Sequence, residues 1–238
     1  MKAIKTIKDI PLQQRKQART RLALLDAAIE MMRKKTLADI TVEEICQKAE
    51  VSRGTFFRYF PRKTDLLYYH VRLWSIESVW HARQLAGEKS GLAIIEAYFE
   101  WSVNIITKHP RLFSEIIALR AYEPLEIAKR MQNDNLKITQ AERFLRFPGM
   151  KGIDSILDGT FYIIFQESIE EAIAKREIPE NVDMKEVILS LASIFYGVPF
   201  MLADQTTPID LTAAFKRQLH ILWAGLRHAE WSGEIFQT

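Results

Sequence analysis

The stretch TVEEICQKAEVSRGTFFRYF, residues 41–60, constrains the chain more than any other, because it holds two helix start signals separated by room for only a tight turn. Thr41 caps a first helix, with Glu44 three residues on as the reciprocal partner of a capping box. Ile40 and Ile45 flank that cap as a hydrophobic staple. Ser52 repeats the device for a second helix, stapled by Val51 and Phe56. Ile45, Ala49, Val51, Phe56 and Phe60 supply the apolar contacts between the two helices. The second helix then turns Arg53, Thr55, Arg58 and Tyr59 outward, while Gly54 leaves space for a close approach. A short rigid helix with such donors at its start suits the major groove of DNA, so the pair reads as a helix-turn-helix.

Charge supports this. Residues 52–64 hold four Arg or Lys and no Asp or Glu, which the packing of an ordinary helical pair does not explain. Residues 1–65 hold fifteen Lys plus Arg against eight Asp plus Glu, whereas the remainder holds eighteen against twenty-two. A basic head on a mildly acidic body places an anionic partner at the head.

The run TVEEICQKAEVSRGTFFRYFPRKTDLL, with the helical pattern before it, resembles the TetR/AcrR family of transcriptional regulators. The resemblance covers about the first quarter of the chain closely and the rest only in helical layout. It implies that Phe57, Tyr59 and Lys63 meet DNA phosphates, that Arg53, Gly54, Thr55 and Arg58 face the groove, and that Thr41 touches the backbone; Ser52, as the cap, belongs to the same DNA-binding set. Three positions depart from the family's usual pattern. Glu50 stands where Gly or Asn is common, so a left-handed residue costing about 1 kcal/mol is expected there. Cys46 replaces a small Ala, and Phe57 lacks the phenolic hydroxyl of a frequent Tyr.

Apolar spacing at three and four recurs almost throughout the 238 residues, and 48% of them are hydrophobic. The expectation is an all-α protein with a three-helix DNA-binding head over residues 1–65 and a larger helical effector-binding and dimerisation domain over 66–238. Helices are expected at about 13–35, 63–86, 91–108, 111–132, 152–176, 183–204 and 210–229, besides the central pair. Residues 1–11 form a basic arm, 133–152 a less regular stretch with Phe147-Pro148-Gly149 as a turn. The helix at 63–86 spans head and body and is the natural mechanical link.

The body is rich in aromatic residues. Trp80, Tyr98, Trp101, Phe113, Phe161, Tyr162 and Phe165, with Asn104, Arg120 and Gln166 as polar members, are candidates to line an effector site, although aromatic stripes at helical spacing more often form core. The resemblance implies an effector pocket in the body without fixing its chemistry. Residues 188–203 carry no charge, fall short of a typical membrane span and include Gly197 and Pro199. Ser190, Ser193 and Gly197 form a small-residue stripe, and Phe215, Leu219, Leu222 and Leu226 an apolar one on the last helix. In the family resembled, the last two long helices form a four-helix dimer interface; a single larger core would use the same residues. Two heads on a palindrome favour the homodimer.

Residue 46 is the single cysteine, which excludes an internal disulfide framework and fits a reducing, cytoplasmic setting without a membrane partner. The sequence has no phosphate-binding Gly loop, nucleophile elbow, HExxH or Cys-His cluster, and its histidines at 70, 81, 109, 220 and 228 show no metal spacing. The reading is therefore a ligand-responsive repressor acting on a palindromic operator, with no cofactor, no metal and no catalysis. A non-specific architectural DNA binder and an all-helical enzyme are the competing classes.

Overall fold

The computed structural model describes residues 6–122, 133–159, 161–202 and 210–228, with the side chains of Phe161, Tyr162 and His228 left aside. Its regular elements are ten α-helices and three 3-10 turns, with no strand among the described residues. They are α1 (Leu12–Met32), α2 (Val42–Lys48), α3 (Arg53–Tyr59), α4 (Asp65–Ala86), α5 (Leu92–Lys108), α6 (Pro110–Tyr122), α7 (Gln140–Arg146), α8 (Phe161–Ala174), α9 (Met184–Leu202) and α10 (Leu211–His228). The all-α expectation holds.

The chain packs as two compact units, Met1–Trp80 with Ile106–Gly159, and His81–Ile105 with Thr160–Thr238. In the first, α1 to α3 close over Leu25, Ile40, Ile45, Phe56 and Phe60, all sealed from solvent. The rings of Phe56, Phe60 and Tyr69 continue this core from α3 into α4, with centroids 6.0 and 5.4 Å apart. α7 lies against α1. The joint is polar: Glu142 is fully buried, pairs with Arg21 at 2.9 Å and accepts a 2.7 Å hydrogen bond from the Tyr69 hydroxyl. Arg21 also lies over the Tyr69 ring at 4.4 Å. The hydrogen-bonded, negatively charged Glu142 and the apolar surroundings hold the Tyr69 hydroxyl well above its usual pKa, burial being the larger cause.

The second unit is built on rings. Tyr98 and Phe99 of α5 meet Phe165 of α8 and Phe195 of α9, with Phe99 reaching Phe215 of α10 at 5.1 Å. The Trp223 indole N–H is satisfied by Glu96 at 3.1 Å. By length and composition α9 is apolar enough to cross a membrane, yet it packs against α8 and α10.

One helix boundary differs from expectation. The helix expected from 152 begins at Phe161 instead. Gly152 takes φ +78° and leads into a 3-10 turn. Asp158 then accepts hydrogen bonds from Arg72 at 2.8 Å and from the Ile138 amide at 3.1 Å, holding the chain in a non-helical path. The helix expected at 111–132 is seen over Pro110–Tyr122, and its remainder lies outside the described residues. The irregular stretch at 133–152 contains α7, started by a capping box of Thr139 and Glu142, before the Pro148-Gly149 turn.

Candidate nucleic-acid interface

Both helix starts form as their residues dictate. The Thr41 hydroxyl accepts from the Glu44 amide at 3.1 Å, and the Glu44 carboxylate accepts from the Thr41 amide at 2.7 Å. Lys35 donates to the same carboxylate at 2.8 Å and, with the Thr41 donors, lowers its pKa to about 2. Ser52 accepts from the Thr55 amide at 3.2 Å, and the two hydroxyls lie 3.0 Å apart. Between the helices the Val51 amide reaches the Cys46 carbonyl and the Glu50 amide reaches that of Gln47, the paired bonds of a Schellman ending. That ending requires a left-handed residue, and Glu50 occupies it at φ +54°.

α3 then divides cleanly. Phe56 is sealed inside, while Arg53, Gly54, Phe57 and Arg58 are exposed and Thr55 and Tyr59 half-exposed. A Cβ built on Gly54 would meet only the Ser52 hydroxyl at 3.9 Å, so no internal packing demands glycine there; the space it leaves lies outside the chain. Arg53 pairs with Glu43 at 2.6 Å on the surface, and Arg58 donates to the Tyr59 hydroxyl at 3.2 Å while lying over its ring. Such exposed contacts are weak and yield readily to a phosphate or base edge. Lys63 donates to the carbonyls of Ala38 and Ile40, at 3.1 and 2.5 Å, tying α4's approach to the turn before α2. An ammonium has three donors, so one is left for an outside acceptor.

The expected effector residues fall in different places. Trp80, Phe113 and Arg120 belong to the first unit. There the Trp80 indole donates to the Lys151 carbonyl at 2.9 Å, and Phe113 is buried edge-on to Trp74. Arg120 sits half-buried in the last turn of α6. Tyr98, Trp101, Asn104, Phe165 and Gln166 belong to the second unit. Tyr98 and Phe165 are core rings with centroids 5.0 Å apart, Trp101 stacks on His81 at 3.5 Å, Asn104 is exposed, and Gln166 donates to Glu170. The side chains of Phe161 and Tyr162 lie outside what is described.

On the last two helices, Phe215, Leu219 and Leu226 are only 1, 1 and 2% exposed and face the subunit's own core. Ser190, Gly197 and Leu222 are half-exposed and Ser193 exposed. The apolar residues turned outward there are Leu189, Phe200, Met201 and Ile221.

Sequence reasoning passed over Arg21 and Tyr69. The Thr139-x-x-Glu142 spacing signals a helix start there, and nothing local signals that the Glu142 carboxylate also meets Arg21 and Tyr69.

The described residues are helical or irregular, and the N-terminal head, a doubly capped helix-turn-helix with an outward basic helix, has the architecture of a DNA-binding domain. Residues 24–69 match the model of the bacterial regulatory proteins of the tetR family, and the head is a domain of that kind. Among solved structures, the chain is similar to the Thermus thermophilus FadR, a TetR-family repressor in complex with lauroyl-CoA, at 19% identity and TM-score 0.64 over 90% of this chain and all of that one. Salmonella enterica GusR matches at 20% identity and TM-score 0.55, covering 88% of this chain and 96% of that one. A tetR-family regulatory protein from Rhodococcus RHA1 matches at 16% identity and TM-score 0.51, covering 89 and 98%. No curated protein matches the sequence. The fold is that of TetR-family transcriptional regulators, with the helix-turn-helix ahead of a larger helical region.

Proposed function

We propose that the protein is a transcriptional repressor that binds a palindromic operator as a homodimer and is released by a small, amphipathic, largely apolar effector. The observation that carries this is the division of α3, with Phe56 buried and Arg53, Gly54, Phe57 and Arg58 presented to solvent. Thr41, Ser52, Thr55, Tyr59 and Lys63 complete the DNA-contacting set. The division of labour is between residues 1–65, which read DNA, and 66–238, which bind the effector and dimerise in the cytoplasm. Neither role calls for a metal, a cofactor or a catalytic step.

Dimerisation is supported by the outward apolar residues of α9 and α10, since Leu189, Phe200, Met201 and Ile221 are all more than half exposed. Apolar surface of this kind on a long helix calls for a cover. Ser190, Ser193, Gly197 and Leu222 allow close approach at the same face. The structural neighbour solved with lauroyl-CoA supports an effector with an apolar chain. α4 carries residues of both packing units and is the element through which effector binding misaligns two heads on one operator. A hundredfold loss of operator affinity needs about 2.7 kcal/mol of coupling, within the usual range for linked sites.

Selection from a random DNA pool tests the proposal. Enrichment of one palindrome is expected; smooth binding without a preferred sequence would replace the repressor with an architectural binder, and absence of binding would leave a helical enzyme or adaptor.

A further inference from the structure

We infer that duplex DNA meets a second phosphate-binding wall on this protein, formed by residues 134–137 outside the helix-turn-helix. The inference rests on the DNA-binding reading above. A groove of about 1120 Å³ runs between the first turns of α1, the end of α3 and the segment leading into α7. Arg58 and Tyr59 line it from α3, Lys16 and Arg21 from α1, and Asn135 and Lys137 from the opposite side. The groove therefore opens where the recognition helix ends, and a strand seated on Arg58 and Tyr59 passes the 134–137 segment.

Its charge favours an anion. Among the described residues that line it, Lys16, Arg21, Arg58 and Lys137 stand against Asp134 and Glu142. Glu142 is already committed internally, to Arg21, to the Tyr69 hydroxyl and to the Thr139 amide at 2.6 Å. Arg21 is 7% exposed and held by Glu142 and the Lys137 carbonyl, so it adds a fixed positive charge behind the groove rather than a donor within it. Arg58 donates to the neutral Tyr59 hydroxyl at 3.2 Å, which leaves its charge uncompensated by that contact. Lys137 does pair with Asp134, at 2.6 Å, but both side chains are mostly solvated, and such a pair exchanges easily for a phosphate.

The wall is also fixed in place. Leu136 is fully buried, the Lys137 carbonyl lies 3.4 Å from Arg21 Nη1, and the Ile138 amide is held by Asp158. Lys137 is thus an exposed ammonium on a pinned segment rather than the tip of a loop. Phosphate contacts of this sort position a duplex without reading its sequence.

The test uses the full-length protein and a mixed-sequence duplex, with affinity measured by fluorescence anisotropy across a salt series. Lys137→Ala should lower the slope of log affinity against log salt by about 1, the counterion released by one phosphate contact. Lys137→Glu should weaken binding further, whereas Lys151→Glu, the same charge change at an exposed lysine outside the groove, should leave affinity within twofold (about 0.4 kcal/mol) of the wild type. Melting by circular dichroism checks that each variant folds. An unchanged slope in Lys137→Ala, or equal losses in Lys137→Glu and Lys151→Glu, overturns the inference. So does Lys137-dependent binding of inorganic pyrophosphate in calorimetry with duplex affinity unchanged, which would make the groove a free-anion site. A wild type that leaves the duplex unbound at every salt removes the DNA-binding reading itself, and this inference with it.

Discussion

Glu142 shows how much a single side chain settles in this protein. It is fully buried, and its two oxygens serve Arg21, Tyr69 and the cap of its own helix. Removing one partner of a buried pair leaves the other charge stranded, so Glu142→Ala should cost about 3–5 kcal/mol in urea unfolding. A loss below about 1 kcal/mol would mean that α7 is not held to α1 by this pair. At the DNA-reading surface the effects should divide by kind of contact. Arg58→Ala should relax base preference at one operator position by about 1–3 kcal/mol, measured by competition between operator variants. Lys63→Ala should weaken all sequences alike and also loosen the turn before α2, because its ammonium holds two carbonyls there. The exposure of Arg58 was readable from its place on α3; the internal contacts of Lys63 were not, since Ala38 and Ile40 are remote from it in sequence.

Among the elements, the α2–α3 turn was the most legible, because caps and helix endings depend on residues only a few places apart. Glu50 was expected in a left-handed conformation and takes φ +54°. Glu50→Gly should remove that strain of about 1 kcal/mol, and after the entropy glycine adds to the unfolded chain, about 0.4–1 kcal/mol, the head should be at least as stable as the wild type. A melting temperature lower than the wild type's would show the turn unstrained. The start of α8 was misread because the pattern from 152 is compatible with a helix. What diverts it is Asp158, claimed by Arg72 and the Ile138 amide. The dimer stripe on α10 likewise had the right periodicity but could not say which neighbour it meets, and Phe215, Leu219 and Leu226 meet their own subunit.

For the whole molecule, assembly and pH response are the measurable consequences. A Cβ at Gly197 meets nothing within 4 Å among the described residues, so Gly197→Leu should leave the monomer's fold intact, with a gain in helix propensity of about 1 kcal/mol, while weakening the dimer. Sedimentation at micromolar concentration checks both arms: a monomeric wild type, or an unaffected Leu variant, defeats the proposed interface. Burial lowers the pKa of His70 to about 3, with Arg146 and His109 adding to it, and burial lowers those of His81 and His109 as well. Unfolded imidazoles titrate near 6.5, so protons bind the unfolded chain first and stability falls as pH drops below that value. Between pH 6.5 and 5, His70 alone should contribute a loss of about 2 kcal/mol. His70→Gln should flatten that part of the urea-unfolding profile, and a profile unchanged by it would show that His70 titrates normally.

The sequence by itself determined the helical class, both caps, the left-handed turn residue and which side of α3 faces out, because each depends on spacing within a few residues along one helix or turn. Tertiary structure decided the rest: where α8 begins, which face of α10 is core, and how Arg21, Tyr69 and Glu142 converge. Those outcomes depend on pairings between residues dozens of positions apart, and a helical period specifies that a face is apolar without specifying what covers it.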